Sequence, residues 1–128
     1  MVKRIALDSN TAIALLNGDA VAVKTISKYD VICLPVTVCG ELIFGAKNSK
    51  LSVKNEAKYF AFMESCEMLD INLAVAETYG NIRLALKKNG TPIPENDIWI
   101  AATCIANSTP LFTYDKHFLA VMQLNLLK

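Results

Sequence analysis

The chain alternates short apolar runs with longer amphipathic segments, a pattern that predicts strands separated by helices. Apolar runs without strict alternation cover residues 4–9, 31–35, 68–72 and 110–115, and a possible final strand covers 124–127. Segments with helical character cover residues 10–19, 20–29, 36–47, 52–66, 73–90, 96–108 and 116–122. Short, non-alternating strands that are separated by helices form a parallel sheet with right-handed crossovers. The pattern therefore predicts an α/β fold in which helices cover both faces of one sheet.

Composition narrows this picture. A length of 128 residues with 53% hydrophobic content predicts a single domain, 1–128, with a substantial core. The net charge of +1 excludes a generally basic protein, so any nucleic-acid binding needs a local patch. The four cysteines form no C-x-x-C pair and lie in apolar segments, which indicates reduced, buried thiols in a cytoplasmic protein. No apolar run is long enough for a signal-peptide core or a membrane span.

Four acidic residues fall where a parallel sheet positions its ligands. Asp8 ends the first strand, Asp115 ends the fourth, Glu41 lies in the helix after the second strand, and Asp97 opens the helix before the fourth. Ligands of open α/β sheets bind beyond the carboxyl ends of the strands. Each acid also has an ordinary alternative role, as a helix cap, an exposed residue, a first-turn residue or a turn residue. Their coincidence at one edge favours a shared site.

Carboxylates that converge without neighbouring cations repel one another unless a metal ion holds them. Oxygen ligands suit Mg²⁺ or Mn²⁺, and such ions commonly activate water for attack on phosphodiesters. This chemistry needs no histidine. The single histidine, His117, is therefore interpreted as a surface helix residue rather than a base.

Four segments together resemble PIN-domain ribonucleases, and more narrowly the VapC toxins of toxin–antitoxin pairs. They are LDSN at 7–10, ELIFGA at 41–46, NDIWIAA at 96–102 and LFTYDKHF at 111–118. The resemblance implies a three-layer α/β/α sandwich with a central parallel sheet of about five strands. It also implies a Mg²⁺- or Mn²⁺-dependent endoribonuclease whose catalytic metal site comprises Asp8, Glu41, Asp97 and Asp115.

The same resemblance assigns supporting roles around these acids. Thr113 matches a hydroxyl residue two positions before the last acid, and Asn10 matches an amide that orients Asp8. Ser9 stands where the family more often has Thr, and it has helix capping as an alternative role, as does Asn10. Thr11 replaces a usual aliphatic residue, and we expect its side chain to face solvent.

The resemblance further implies a cognate VapB-type antitoxin and a homodimer. The apolar surface for these partners is expected on the third and fourth helices, where core packing is an equal alternative for Ile43, Phe44, Phe60, Phe62 and Met63. RNA phosphates are expected to contact Lys47, Lys50 and Lys116, for which ordinary solvated lysines are the alternative. Trp99 is interpreted as a core residue rather than a base-stacking one.

Three alternatives to a toxin stay open at this point. A housekeeping nuclease and a non-catalytic PIN-type RNA-binding domain share the same motifs. A receiver-like phospho-acceptor domain also carries acids at strand ends, but it needs an acidic pair at the first strand and a lysine after the last. Glu95 is either a first-turn acid or a fifth carboxylate at the rim of the site.

Overall fold

A computed structural model describes residues 1–121, 124 and 126. Its strands are β1 (Arg4–Leu7), β2 (Val31–Pro35), β3 (Glu67–Leu69) and β4 (Leu111–Phe112). Its α-helices are α1 (Ser9–Leu16), α2 (Ala20–Ile26), α3 (Val36–Lys47), α4 (Ser52–Glu64), α5 (Leu73–Asn89) and α6 (Glu95–Ala106). A 3₁₀ helix, Lys116–Ala120, follows β4. The elements follow the order that the hydrophobic pattern predicts, so the α/β class is confirmed.

The sheet is parallel, and its strand order is β3-β2-β1-β4. Within the residues that the structure describes, the sheet has four strands, where about five were expected. At the position of the fifth, Leu126 makes an isolated parallel bridge to Leu111. A single bridge does not form a ladder, and residues 125 and 127 of the predicted strand lie outside the described residues. The architecture of helices on both faces of a parallel sheet is otherwise as predicted.

The direction of the chain across the sheet assigns the helices to layers. From β1 to β3 the chain moves one way, and from β3 to β4 it returns past β2 and β1. Right-handed crossovers then place α1 to α4 on one face and α5 with α6 on the other. Buried aliphatic side chains such as Ile5, Leu34, Val75 and Ile100 fill the space between these layers.

Two helices of the second layer pack through an aromatic pair. Tyr79 of α5 stacks on Trp99 of α6 with ring centroids 3.9 Å apart and an angle of 12° between the planes. The half-buried Trp99 thus packs between helices, as the core interpretation predicted. Among residues 1–121, 124 and 126, no helix combines the length and the apolar character that crossing a bilayer requires.

The strand order reverses between β1 and β4, and the carboxyl ends of these two strands lie side by side. Leu7 pairs with Phe112 in the register of these strands. The next residues along the two strands, Asp8 and Thr113, are therefore neighbours at the carboxyl edge. Such reversal points are the usual ligand-binding positions of α/β sheets.

Candidate active site

Asp8 forms the inner end of a group of acids at this edge. It is only 5% exposed. One carboxylate oxygen accepts hydrogen bonds from the backbone N–H of Thr11 at 3.0 Å and from the Thr11 hydroxyl at 2.8 Å. The other oxygen accepts from the hydroxyl of Thr113. Asp8 is thus the N-cap of α1 as well as a site residue, and these donors offset the desolvation of its charge.

Thr11 was expected to face solvent, and this prediction is wrong. Its side chain is fully buried, and its hydroxyl lies within hydrogen-bond distance of the Asp8 carboxylate and, at 3.0 Å, of the carbonyl oxygen of Phe112. Asn10 is exposed instead. Within the part of the chain that the structure describes, Asn10 makes no hydrogen bond to Asp8, so Thr11 rather than Asn10 orients the carboxylate. The residue that hydrogen-bonds Asp8 is therefore Thr11, one position later in the chain than the expected Asn10.

Thr113 connects Asp8 to Asp115 through hydrogen bonds. Its hydroxyl donates to Asp8 and accepts a hydrogen bond of 2.9 Å from the backbone N–H of Asp115. The Asp115 carboxylate then caps the 3₁₀ helix by accepting from the backbone N–H of His117 at 2.9 Å. The segment 113–117 is therefore fixed by side-chain to backbone bonds that begin at the end of β4.

Glu41 reaches the site from the middle of α3. One of its carboxylate oxygens accepts a 2.6 Å hydrogen bond from the hydroxyl of Ser9, and the other accepts a long one of 3.5 Å from the side-chain amide of Asn96. Ser9 therefore orients Glu41 across the gap between α1 and α3. Glu41 is half-buried and borders an open groove of about 590 Å³ together with Phe44 and Asn96.

The outer part of the site, which we term the outer cluster, comprises Asp97, Asp115 and His117. The Nδ1 atom of His117 lies 3.0 Å from a carboxylate oxygen of Asp97 and 3.1 Å from one of Asp115. The side chains of Asp97 and Asp115 are 16% and 29% exposed, and that of His117 is 50% exposed. His117 is thus a surface residue, as expected, but it also contacts two predicted site acids.

The surroundings of Asp97 shift the pKa of its carboxyl. Burial raises the pKa of its carboxyl above the ordinary value, and the charges of Asp115 and Glu41 raise this pKa further. The hydrogen bond from His117 and its charge act in the opposite direction. The carboxyl of Asp97 therefore holds its proton more tightly than an ordinary aspartate does, chiefly because it is partly buried.

These residues fit a divalent metal ion. Asp97, Asp115 and His117 each offer one ligand atom, and these atoms all lie within 4.8 Å of one another. Two carboxylate oxygens and one imidazole nitrogen form a donor set for a hard or borderline cation. The arrangement can therefore concentrate positive charge at the reversal point of the sheet.

Glu95, the possible fifth acid, lies apart from this group. It accepts hydrogen bonds from the hydroxyl of Tyr79, and it lies 3.5 Å from a guanidinium nitrogen of Arg83. Both partners belong to α5, so the first turn of α6 directs Glu95 towards α5 and Asp97 towards the site. Glu95 is therefore a first-turn acid in a surface cluster rather than a rim carboxylate.

The three lysines predicted to contact RNA differ in their surroundings. All are exposed. Lys47 forms a 2.6 Å ion pair with Glu56, which offsets its charge. Lys116 directly follows Asp115 and stands beside the site along the chain. Lys116 is thus better positioned than Lys47 to meet a phosphate group.

The apolar residues expected at a partner surface divide between surface and core. Phe44 is 68% exposed and Phe60 is 46% exposed, whereas Met63 is buried. Ile43 and Phe62 are half-buried and pack against the core. A largely apolar groove of about 470 Å³ lies between α3 and α4, and its lining includes Ile43, Phe60 and Met63. Core packing thus accounts for Ile43, Phe62 and Met63, whereas Phe44 and Phe60 are exposed.

Comparison with known families identifies the family of the chain. The family model described as PIN domain matches residues 5–123, which include every predicted site residue. The chain belongs to the PIN domain family.

Individual relatives within this family can be named. The chain is 28% identical over 111 residues to Ribonuclease VapC2 of Rickettsia felis, covering 84% of this chain and 83% of that protein. It is 28% identical over 102 residues to the tRNA(fMet)-specific endonuclease VapC of Shigella flexneri, covering 77% and 76% of the two chains. Among solved structures, VapBC-1 from nontypeable Haemophilus influenzae superposes with a TM-score of 0.89 and 26% identity over 98% of this chain and 97% of that chain.

Proposed function

We propose that this protein is an endoribonuclease toxin of the VapC type that depends on a divalent metal ion, Mg²⁺ or Mn²⁺. One observation carries the proposal: in a PIN domain, ligand atoms of Asp97 and Asp115 lie within 4.8 Å of one another at the carboxyl edge of the sheet. Thr113 connects Asp8 to Asp115 by hydrogen bonds, and Asn96, which precedes Asp97, donates to Glu41. Similarity to a protein named as a ribonuclease and to one named as a tRNA endonuclease supports RNA as the substrate. Family membership also sets aside the receiver-like alternative.

The metal ligands in this proposal are Asp8, Glu41, Asp97 and Asp115. A bound divalent ion would supply the Lewis-acid charge that makes water nucleophilic near neutral pH and offsets the charge of the phosphate. The chain's own residues hold this arrangement. Thr11 and Thr113 orient the carboxylate of Asp8 by hydrogen bonds, and Ser9 orients that of Glu41.

The proposal extends to partners and location. Structures of VapBC complexes resemble this chain closely, which supports a VapB-type antitoxin as the cognate partner. The exposed Phe44 and Phe60 beside the groove between α3 and α4 suit such contacts and those of a homodimer. We place the protein in the cytoplasm, where its RNA substrates occur, and treat residues 1–128 as a single domain.

A cleavage assay tests the nuclease itself. Purified protein is incubated with total RNA or a tRNA pool in Mg²⁺, in Mn²⁺ and in excess EDTA. We expect discrete cleavage products with either ion, none in EDTA, and recovery of cleavage when the ion is restored. Cleavage that persists in EDTA would contradict metal dependence.

Growth after induced expression separates a toxin from a housekeeping nuclease. Expression of the protein alone is expected to arrest growth, and co-expression of the adjacent open reading frame is expected to restore it. The Asp97→Asn variant provides the control, because it should express at the same level without arrest. Normal growth with active nuclease present would favour the housekeeping role.

A further inference from the structure

His117 occupies a position that an all-carboxylate metal site does not explain. Its Nδ1 atom, rather than another part of the ring, lies within 3.0 Å of Asp97 and 3.1 Å of Asp115. These are the distances of a hydrogen bond or an ion pair, so one nitrogen is shared between two of the predicted metal ligands. The same nitrogen is within 4.8 Å of the oxygen atoms that are available to bind a cation.

The local backbone holds the imidazole in this position. Asp115 accepts a hydrogen bond from the backbone N–H of His117, and the next residue, Phe118, is 1% exposed and anchored in the core. The 3₁₀ helix is thus fixed at both sides of His117. The contacts of Nδ1 with Asp97 and Asp115 then orient the ring beside these acids before a metal ion binds, which lowers the entropy lost on binding.

We infer that His117 supplies a nitrogen ligand, through Nδ1, to the divalent ion, and that the site consequently favours first-row transition ions over Mg²⁺. This inference rests on the proposed metal-dependent function and adds a ligand and a metal preference to it. Imidazole nitrogen is a poorer ligand for Mg²⁺ than for transition ions, whereas carboxylates accept both.

The chain offers an unusually clear test because His117 is its only histidine. Protein without a histidine tag is loaded with Mn²⁺ alone, and pulsed electron paramagnetic resonance measures coupling of the ion to imidazole ¹⁴N. Any such coupling in the protein must arise from His117. We expect a ¹⁴N signal in the wild type and in Leu119→Ala, an exposed change on the same 3₁₀ helix, and none in His117→Ala.

Calorimetry gives a second readout that does not depend on cleavage. His117→Ala should weaken Mn²⁺ binding by about tenfold, the lower end of the effects seen when groups around a metal are removed. Mg²⁺ binding should change little, so the preference of the site for Mn²⁺ should narrow.

The outcomes separate this inference from the proposed function. Mn²⁺ that binds and supports RNA cleavage without ¹⁴N coupling in the wild type would overturn the role of His117 while leaving the nuclease intact. Failure of the wild type to bind Mn²⁺ or Mg²⁺ at all would overturn both. Equal weakening of Mg²⁺ and Mn²⁺ binding in His117→Ala would contradict the predicted metal preference.

Discussion

Asp8 lies at the inner end of the acidic site and Asp97 at its outer end, and the protein surrounds these two carboxylates differently. Asp8 is buried and accepts hydrogen bonds from Thr11 and Thr113. Asp97 is less buried, faces Asp115 and Glu41, and is compensated within the described residues only by His117. Protein donors therefore already reach both carboxylate oxygens of Asp8, whereas the oxygens of Asp97 and Asp115 lie close enough together to share a cation.

The largest effect that should distinguish the outer acids from Asp8 is the stabilisation of the folded protein by a bound metal ion. At a free Mn²⁺ concentration about 100-fold above its dissociation constant, linkage adds about 2.7 kcal/mol to the unfolding free energy, or roughly 10 °C in the unfolding midpoint. Replacing both outer acids (Asp97→Asn with Asp115→Asn) should abolish this rise in a thermal-shift measurement. Glu95→Gln serves as the control and should retain it, because Glu95 pairs with Tyr79 and Arg83. A full rise in the double variant would contradict the assignment.

The hydrogen bonds to Asp8 should instead contribute to the unfolding free energy of the metal-free protein. Thr11→Val keeps the shape of the side chain but leaves the buried Asp8 carboxylate without one of its donors, and it should lower the unfolding free energy by about 2 kcal/mol. Urea denaturation in EDTA measures this change. Thr78→Val, which removes a hydroxyl bonded only to a carbonyl within α5, is the matched control and should have a smaller effect. Equal losses in the two variants would show that Thr11 has no special role.

A smaller effect is expected from the pH dependence of the outer end. The raised pKa of Asp97 means that the folded protein holds this proton more tightly than the unfolded chain does. The contribution of this carboxyl to the unfolding free energy therefore falls as the pH rises from 3.8, the ordinary pKa of an aspartate, through the raised pKa of Asp97. In EDTA, the unfolding free energy of the wild type should thus fall relative to that of Asp97→Asn between pH 4 and pH 7. A difference that moves the other way would contradict the raised pKa.

The smallest predicted effect concerns RNA binding at the rim. Lys116→Ala should reduce the slope of log affinity against log salt by about 1, as the loss of one phosphate contact does. Lys47→Ala should leave the slope unchanged, since Glu56 already offsets that charge. Binding is measured in EDTA, so that cleavage does not consume the RNA. Identical slopes for all three proteins would remove Lys116 from the interface.

The sequence predicted the order of the elements and the edge of the sheet where the acids lie, because both follow from the spacing of apolar runs. It did not predict that Thr11 is buried. Which side of the first turn of α1 faces inwards depends on the Phe112 carbonyl, which comes from a strand about one hundred residues later. A local pattern carries no information about such a distant partner.

His117 was missed for a related reason. An oxygen-only site needs no histidine, and the predicted helix over residues 116–122 did not indicate that Asp115 would act as its N-cap. The 3₁₀ helix that begins at Lys116, capped by Asp115, turns the imidazole back towards the acids. The short spacing D-K-H in the sequence was the available signal.

The central claim is that Asp97 acts in cleavage while an acid two residues away in the same first turn does not. The direct test is the rate of RNA cleavage by Asp97→Asn and Glu95→Gln, measured side by side in Mn²⁺ at neutral pH. We predict a loss of at least about 100-fold for Asp97→Asn, the scale on which removal of one group that stabilises a transition state acts, and a rate close to that of the wild type for Glu95→Gln. Wild-type cleavage by Asp97→Asn, with its fold intact by circular dichroism, would contradict the account.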